Sequence, residues 1–207
     1  MSSSPEYKLI YFHARGRAEL IRFLFEHLEI QYEDQRMTFE EWPSIKPDTP
    51  FGILPILEVH GKQLTSSIGI ARMIAEENGL SGSNLLENTE VFGIVSAAED
   101  AWCNIYTARY KQKDKDSTDL KVKELHEDYL PEHIERFEKR AAANGAGWIW
   151  GDKMTYADFA TYLLFQYVCE NTEGAKDKYP KLAKIHAIVE SLPKIAKWMK
   201  SRPETFA

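Results

Sequence analysis

The 207-residue chain predicts two parts of different class: a small mixed α/β sheet domain first, then an all-helical domain. Three observations predict this. Over the first 80 or so residues, short β-rich runs alternate with helical periodicity in the order βαβ-ββα, which builds a small sheet with helices against it. The stretch Gly79-Leu80-Ser81-Gly82-Ser83 then breaks the pattern and reads as a linker. Beyond it the apolar spacing is helical almost throughout. The expected division is a first domain at 1–80, a linker at 81–86 and a helical domain at 87–207.

Each element has a local reason. Tyr7 to Phe12 (YKLIYF) is a strand by its β-rich composition. Arg17 to Leu28 is a helix, with Ala18, Ile21, Phe25 and Leu28 on one face. Gln31 to Arg36 is a second strand. A polar, proline-punctuated loop follows from Thr38 to Phe51. Pro55 opens the strand Ile56 to Val59, because a proline cannot donate to a ladder and belongs at an edge or a strand start. A turn at His60-Gly61-Lys62 leads into a short fourth strand. The helix from Ser67 to about Asn78 carries Ile68, Ala71, Ile74 and Ala75 at core spacing. In the second part, helices are expected at 87–112, 121–143, 155–170, 180–190 and 193–201. The charged run Lys111 to Lys123 reads as a solvated loop between two of them. Thr155 and Asp158 form a capping box at the start of the third.

Composition excludes several classes. Hydrophobic residues at 43% and charged residues at 28% describe an ordinary globular protein. A net charge of −6 gives no electrostatic reason to expect nucleic acid or an anionic membrane as partner. No apolar run is long enough to span a bilayer. The start MSSSPEYKLIYF lacks a charged n-region followed by an apolar h-region, so a cytoplasmic protein is expected. Cys103 and Cys169 are isolated and read as buried free thiols in a reducing compartment. The six histidines show no metal-ligand spacing, and no metal is expected.

The segment most informative about chemistry runs from Pro50 to Arg72, PFGILPILEVHGKQLTSSIGIAR. The backbone of Leu54, just before Pro55, is placed to bond an extended peptide. Ser66 and Ser67 stand where a helix N-cap belongs, and a helix N-terminus with hydroxyls and unpaired N–H groups is an anion site. A peptide-like backbone partner followed by a carboxylate pocket suits a small acidic peptide.

Together with YKLIYFHARGRAELIRFLF at the start and GDKMTYADF in the helical half, this segment resembles the cytosolic glutathione transferases, closest to the sigma class and related invertebrate enzymes. The resemblance covers nearly the whole chain. It implies a thioredoxin-like N-terminal domain, an all-α C-terminal domain, a homodimer, and glutathione as co-substrate. The implied reaction is attack by the glutathione sulfur on a small hydrophobic electrophile, with glutathione-dependent peroxidase or isomerase activity as further capacities. The thiolate is the nucleophile, and a thiol of pKa near 8.5 is only ~3% ionised at pH 7. Lowering that pKa by about two units requires roughly 2.7 kcal/mol of anion stabilisation.

The resemblance also implies residue roles. Tyr11, not Tyr7, matches the family's catalytic tyrosine, and Arg17 lies close to it to help hold the hydroxyl and the thiolate. Trp42 and Lys46 hold the glycine end of glutathione, as donors without acceptor capacity. Leu54 pairs with the cysteinyl part by strand addition, through a cis peptide to Pro55. Ser66 and Ser67 take the γ-glutamyl carboxylate. Ser66 stands where a glutamine is usual, and Ile53 where many relatives carry lysine or glutamine, so polar reach toward glutathione is reduced at both positions. Asp100, beside Glu99, reaches across the dimer to the γ-glutamyl amino group, so each site is shared between subunits. Phe12, Ala14, Arg15, Tyr106, Tyr110 and Phe206 are the candidates for the electrophile pocket, expected between the domains. Some sigma-class relatives isomerise a prostaglandin endoperoxide, and a tryptophan of their pocket falls at Thr107 here.

Two other classes compete. A low-turnover binding protein for apolar ligands, such as haem or lipid derivatives, fits the losses at Ser66 and Ile53. A structural protein, like lens crystallins of the same fold, requires none of Tyr11, Arg17, Trp42, Lys46 and Ser67. A glutaredoxin-like oxidoreductase is disfavoured, since the first strand–helix junction has no cysteine.

Overall fold

The computed structural model describes residues 6–205. They fall into two compact units, one made of the described residues up to Asn78 together with those from Leu192 onward, and one from Gly79–Ser191. Phe206 lies outside the described residues.

In the first unit, β1 (Tyr7–Phe12) leads through a 3₁₀ turn (Gly16–Ala18) into α1 (Glu19–Leu28), and then β2 (Tyr32–Met37). A short helix α2 (Trp42–Ile45) and a 3₁₀ turn (Lys46–Asp48) occupy the expected loop. Then come β3 (Ile56–Val59), β4 (Lys62–Thr65) and α3 (Ser67–Glu77). The sheet order is β2-β1-β3-β4, with β1 and β2 parallel and the other pairs antiparallel. A parallel neighbour requires a crossover, which α1 supplies. The β3–β4 turn has positive φ at both His60 and Gly61 (49° and 73°), the two-residue hairpin geometry whose twist matches the strands. Leu9, Ile21, Leu24, Phe25, Ile56, Leu57, Ile70 and Ile74 are all buried, with Leu9 and Leu57 opposite each other on one face of the sheet and Ile56 on the other. This is the thioredoxin-like arrangement expected.

The register fixes what lies at one end of the sheet. Tyr11 pairs with Arg36, Ile10 with Ile56, and Ile56 with Thr65. One step further along, Tyr11, Pro55 and Ser66 share that end.

The second unit is helical: α4 (Leu85–Tyr110), α5 (Lys115–Glu124), a π-helical turn (Leu125–Tyr129), α6 (Leu130–Asn144), α7 (Tyr156–Asn171), α8 (Ala175–Lys178) and α9 (Pro180–Ser191). At its centre, α7 is buried on most of its surface, between α4 and α9. The expected capping box is present: Asp158 Oδ2 accepts from the Thr155 amide at 2.8 Å. Its other oxygen accepts from the Ile149 amide at 2.8 Å.

Several expectations need amendment: the single helix expected at 121–143 is divided among α5, the π-helical turn and α6, and Cys103 and Cys169 are half-buried. The run 111–123 is not all loop, because α5 forms within it, capped by Asp114 accepting from the Ser117 amide at 2.8 Å. It buries no residue, so no apolar period marks it. The last stretch also differs from the division at 87–207: α10 (Pro193–Ser201) packs on α1 and belongs with the first unit.

Candidate functional site

The candidate residues of the first unit gather at the shared end of the sheet. Tyr11 ends the buried part of β1, with only 9% of its surface exposed. The chain then turns through His13, Ala14 and Arg15 back over the tyrosine. The His13 amide donates to the Met37 carbonyl at 2.8 Å, fastening the start of this loop to β2. At Gly16, φ is +41°, and a β-carbon there would stand 2.6 Å from the Tyr11 hydroxyl oxygen. Glycine is what lets the backbone pass so close. The next amide, that of Arg17, donates to the Tyr11 hydroxyl at 3.2 Å. The position expected to act through its side chain thus meets Tyr11 through its backbone as well.

Sequence reasoning missed Arg22 and Glu19. Arg22 is fully buried, and its guanidinium carbon lies 6.0 Å from the centre of the Tyr11 ring. Its Nη1 donates to the Ala14 carbonyl at 2.9 Å, and its Nε donates to Asp34 at 3.2 Å. Glu19, 2% exposed, accepts from the same Nη1 at 3.1 Å. The available signal was Arg22 one turn beyond Ala18 on the apolar face of its helix, with Glu19 three residues before it. A charge on a core face has to be paired there.

Phe12, half-buried, stacks on Phe39 (4.5 Å between centroids) and meets the edge of Trp42 at 5.9 Å. That contact sets Trp42, the first residue of α2, beside the tyrosine's neighbour. Pro43 follows it at the helix start, where a missing N–H is harmless. Lys46 is exposed and runs its stem over Gly52, whose β-carbon would meet Lys46 Cε at 3.1 Å. Ile53 is 49% exposed and Leu54 is buried. The Leu54–Pro55 peptide is cis.

Ser66 and Ser67 divide their tasks. Ser66 is the N-cap of α3, accepting from the Gly69 amide at 3.3 Å, with φ at +72°. A non-glycine residue in that region is strained, and such strain clusters at functional sites. Ser67 is the first helical residue and is 6% exposed. Amides of the first helical turn precede the first intrahelical bond and so point out of the helix end, positive end of the dipole included.

Ala14 is buried and Arg15 half-buried, both on the loop above Tyr11. In the second unit, Asp100 is exposed on α4. Burial, and after it the Asp100 carboxylate, push the Tyr129 hydroxyl above its ordinary pKa. Tyr106 and Tyr110 form an exposed tilted pair at 5.4 Å, with the Lys111 ammonium 5.5 Å from the Tyr106 ring. They are surface residues and not core. Among the described residues, no group of three or more His, Cys, Asp or Glu side chains is placed to hold a metal ion, and no helix is long and apolar enough to cross a membrane.

Two family models match the chain: the glutathione S-transferase N-terminal domain over residues 7–76 and the glutathione S-transferase C-terminal domain over residues 99–202. The chain is 34% identical to human hematopoietic prostaglandin D synthase, covering 97% of this chain and 98% of that one. It is also 34% identical to a probable glutathione S-transferase 6 of Caenorhabditis elegans, covering 96% and 97%. Among solved structures, rat hPGDS complexed with a quinoline superposes with a TM-score of 0.89 at 32% identity, covering 97% and 99%. The glutathione S-transferase Na-GST-3 of the hookworm Necator americanus, described as monomeric, gives 0.85 at 31% identity, covering 97% and 98%.

Proposed function

The chain belongs to the glutathione S-transferase family and is a glutathione transferase, and on that premise we propose that it adds the glutathione sulfur to small hydrophobic electrophiles, with Tyr11 stabilising the thiolate. The observation that carries the proposal is the Arg17 amide donating to the buried Tyr11 hydroxyl at 3.2 Å. A hydroxyl that accepts one hydrogen bond becomes a better donor in another, and a donor to sulfur favours the anion. Low solvent exposure strengthens that bond. The side chain of Arg17 adds positive charge to the same corner.

Glutathione is then held along the sheet end. Ser67, with its hydroxyl and its amide at the start of α3, takes the γ-glutamyl carboxylate. Ser66 contributes less, because its oxygen already caps the helix through Gly69. Leu54 pairs by backbone with the cysteinyl part, which brings the sulfur to the Tyr11 end of the row. Trp42 and Lys46 take the glycine carboxylate. Asp100 of a second copy takes the γ-glutamyl amino group, so the working form is a homodimer of the sigma-class kind. Phe12, Ala14 and Arg15 supply electrophile contacts from the loop above Tyr11. Prostaglandin isomerase activity is a narrower reading, supported by the names of relatives and opposed by Thr107.

The test is Tyr11→Phe, assayed by conjugation of glutathione to a chlorodinitroaromatic acceptor and by glutathione binding through tryptophan fluorescence. A hydrogen bond to a charged group is worth about 1.5–3 kcal/mol, so turnover should fall about ten- to hundred-fold. Binding should change little. Unchanged turnover would remove Tyr11 from the mechanism. Weak glutathione binding with tight binding of apolar ligands by the unaltered protein would favour the ligand-carrier role.

A further inference from the structure

Glu19 is a buried carboxylate with a different duty at each oxygen. Oε2 accepts from Arg22 Nη1 at 3.1 Å. Oε1 accepts from Trp198 Nε1 at 2.9 Å and from Arg202 Nη1 at 2.9 Å. Those two donors come from the far end of the chain, on α10 and at its C-cap. Arg22 passes the constraint on: its Nη1 holds the Ala14 carbonyl at 2.9 Å and the Arg15 carbonyl at 3.4 Å, and its guanidinium lies against the Tyr11 ring. From the sheet side, Asp34 takes Arg22 Nε, and Arg36 Nε donates to Asp34 at 2.8 Å. The charged and titratable groups around this chain of contacts include Arg22, Glu19 and Glu26 from α1, Tyr32, Asp34 and Arg36 from β2, Lys197 and Arg202 from the C-terminal segment, and Arg15 and Arg17 on the turn over Tyr11.

From this geometry we infer that Trp198 and Arg202 are positioning residues for the reaction at Tyr11. The inference rests on the proposed role of Tyr11 with the glutathione sulfur. The two donors fix Glu19, and Glu19 with Asp34 fixes Arg22. Arg22 then holds the carbonyls of Ala14 and Arg15, which keeps the Gly16–Arg17 turn, and the amide that bonds the Tyr11 hydroxyl, in place. Without the α10 donors, Oε1 loses its partners, and Arg22, already bonded to Oε2, is a cation within reach to replace them. Any shift of Arg22 toward Oε1 draws it off the Ala14 carbonyl and loosens the loop over Tyr11. The consequence is poorer thiolate stabilisation and not weaker glutathione binding, since Ser67, Leu54, Trp42 and Lys46 are outside the network.

The experiment is the pH profile of kcat/KM in the glutathione conjugation assay for the unaltered protein, Arg202→Ala, Arg202→Lys, Trp198→Phe and Tyr11→Phe. Arg202→Ala should raise the apparent pKa of the bound thiol by about one unit, which is a roughly tenfold rate loss below that pKa. The deficit should vanish at high pH, where the thiolate forms unaided. The KM for glutathione should stay within about twofold, and Arg202→Lys should recover part of the shift. Trp198→Phe removes the N–H together with part of the indole ring, so its thermal unfolding is measured beside its pH profile, and where it folds it decides the question if Arg202→Ala does not fold. A pH-independent loss, or no loss in a folded Trp198→Phe or Arg202→Ala variant, overturns the inference. If Tyr11→Phe shifts the profile and the α10 variants do not, this inference alone fails. If Tyr11→Phe leaves the profile unmoved, the role of Tyr11 fails with it.

Discussion

Gly16→Ala adds one methyl group at the tightest approach to the candidate catalytic hydroxyl. The new β-carbon would sit 2.6 Å from the Tyr11 oxygen, 3.1 Å from Cε1 and 3.2 Å from Cζ. Ordinary contact begins near 3.4 Å, so hydroxyl and loop must separate by about 0.8 Å. The ring has little room to give way, being 9% exposed with the buried Arg22 guanidinium against it. The loop is therefore what moves, and the Arg17 amide moves with it. A misplacement near 1 Å in a catalytic constellation costs on the order of 10²-fold in rate. A separate penalty of about 1 kcal/mol comes from placing alanine at positive φ, and this one affects stability. Gly61→Ala supplies the control. It has φ of +73° and no heavy atom within 4 Å of its β-carbon, so it pays the backbone penalty without the collision. The assay is steady-state conjugation with a chlorodinitroaromatic acceptor, alongside thermal unfolding of both variants. Gly61→Ala should lose about 1 kcal/mol of stability and Gly16→Ala more, by the added collision, and Gly16→Ala alone should lose most of its turnover while still binding glutathione. Turnover within twofold of the unaltered protein in a folded Gly16→Ala variant would show that the loop geometry over Tyr11 is irrelevant to the rate.

Further outcomes follow from other parts of the structure. Ser67→Ala should raise the glutathione Kd about tenfold or more with kcat nearly unchanged, as expected for loss of a hydroxyl bond to a carboxylate. Ser66→Ala should instead cost about 1 kcal/mol of stability through the lost cap, read by denaturant unfolding. Burial pushes the Asp158 carboxyl up to about 6, against the opposing amide bonds from Ile149 and Thr155. Because the folded pKa lies above the unfolded one, this group's contribution is fully present below about pH 4 and is lost as pH rises through 6, a loss of roughly 3 kcal/mol. Unfolding of Asp158→Asn compared with the unaltered protein should show the variant at its greatest disadvantage near pH 4, with the gap closing by pH 7. Asp114→Ala should unravel α5, speeding hydrogen exchange over Lys115–Glu124 at unchanged turnover, because that helix buries nothing.

What was legible in the sequence follows a physical line. The bounds of β1 and β3 were readable because β-rich composition and Pro55 mark them locally. The capping box at Thr155 and Asp158 was readable because both partners lie within four residues. The end of the first unit carrying Tyr11, Leu54 and Ser67 was legible because one continuous segment supplies two of the three. α5 was not, since an exposed helix needs no apolar stripe and its charges imitate a loop. Trp42 and Lys46 were placed in a loop, although Pro43 at the start of α2 was a usable helix signal. The pairing of Glu19 with Trp198 and Arg202 was beyond any spacing rule, because 179 and 183 positions separate the partners. Arg17 was singled out for its side chain, and nothing in the sequence signalled the bond from its amide to the Tyr11 hydroxyl, because every residue but proline possesses that donor.

The same network revises what counts as the first domain. A cut at residue 80 would keep all the proposed glutathione contacts except Asp100. Such a fragment would lack Trp198 and Arg202, and Glu19 would retain only Arg22 among its present partners. A buried carboxylate stripped of two charge-assisted or N–H donors loses on the order of several kcal/mol, comparable to the whole stability of a small domain. Lys194 also leaves, and with it the ion pair to Glu29 at the end of α1. The stretch from Leu192 onward is thus part of the first unit's core chemistry despite its place in the sequence. The long helical insertion between Asn78 and Leu192 separates two pieces that fold as one.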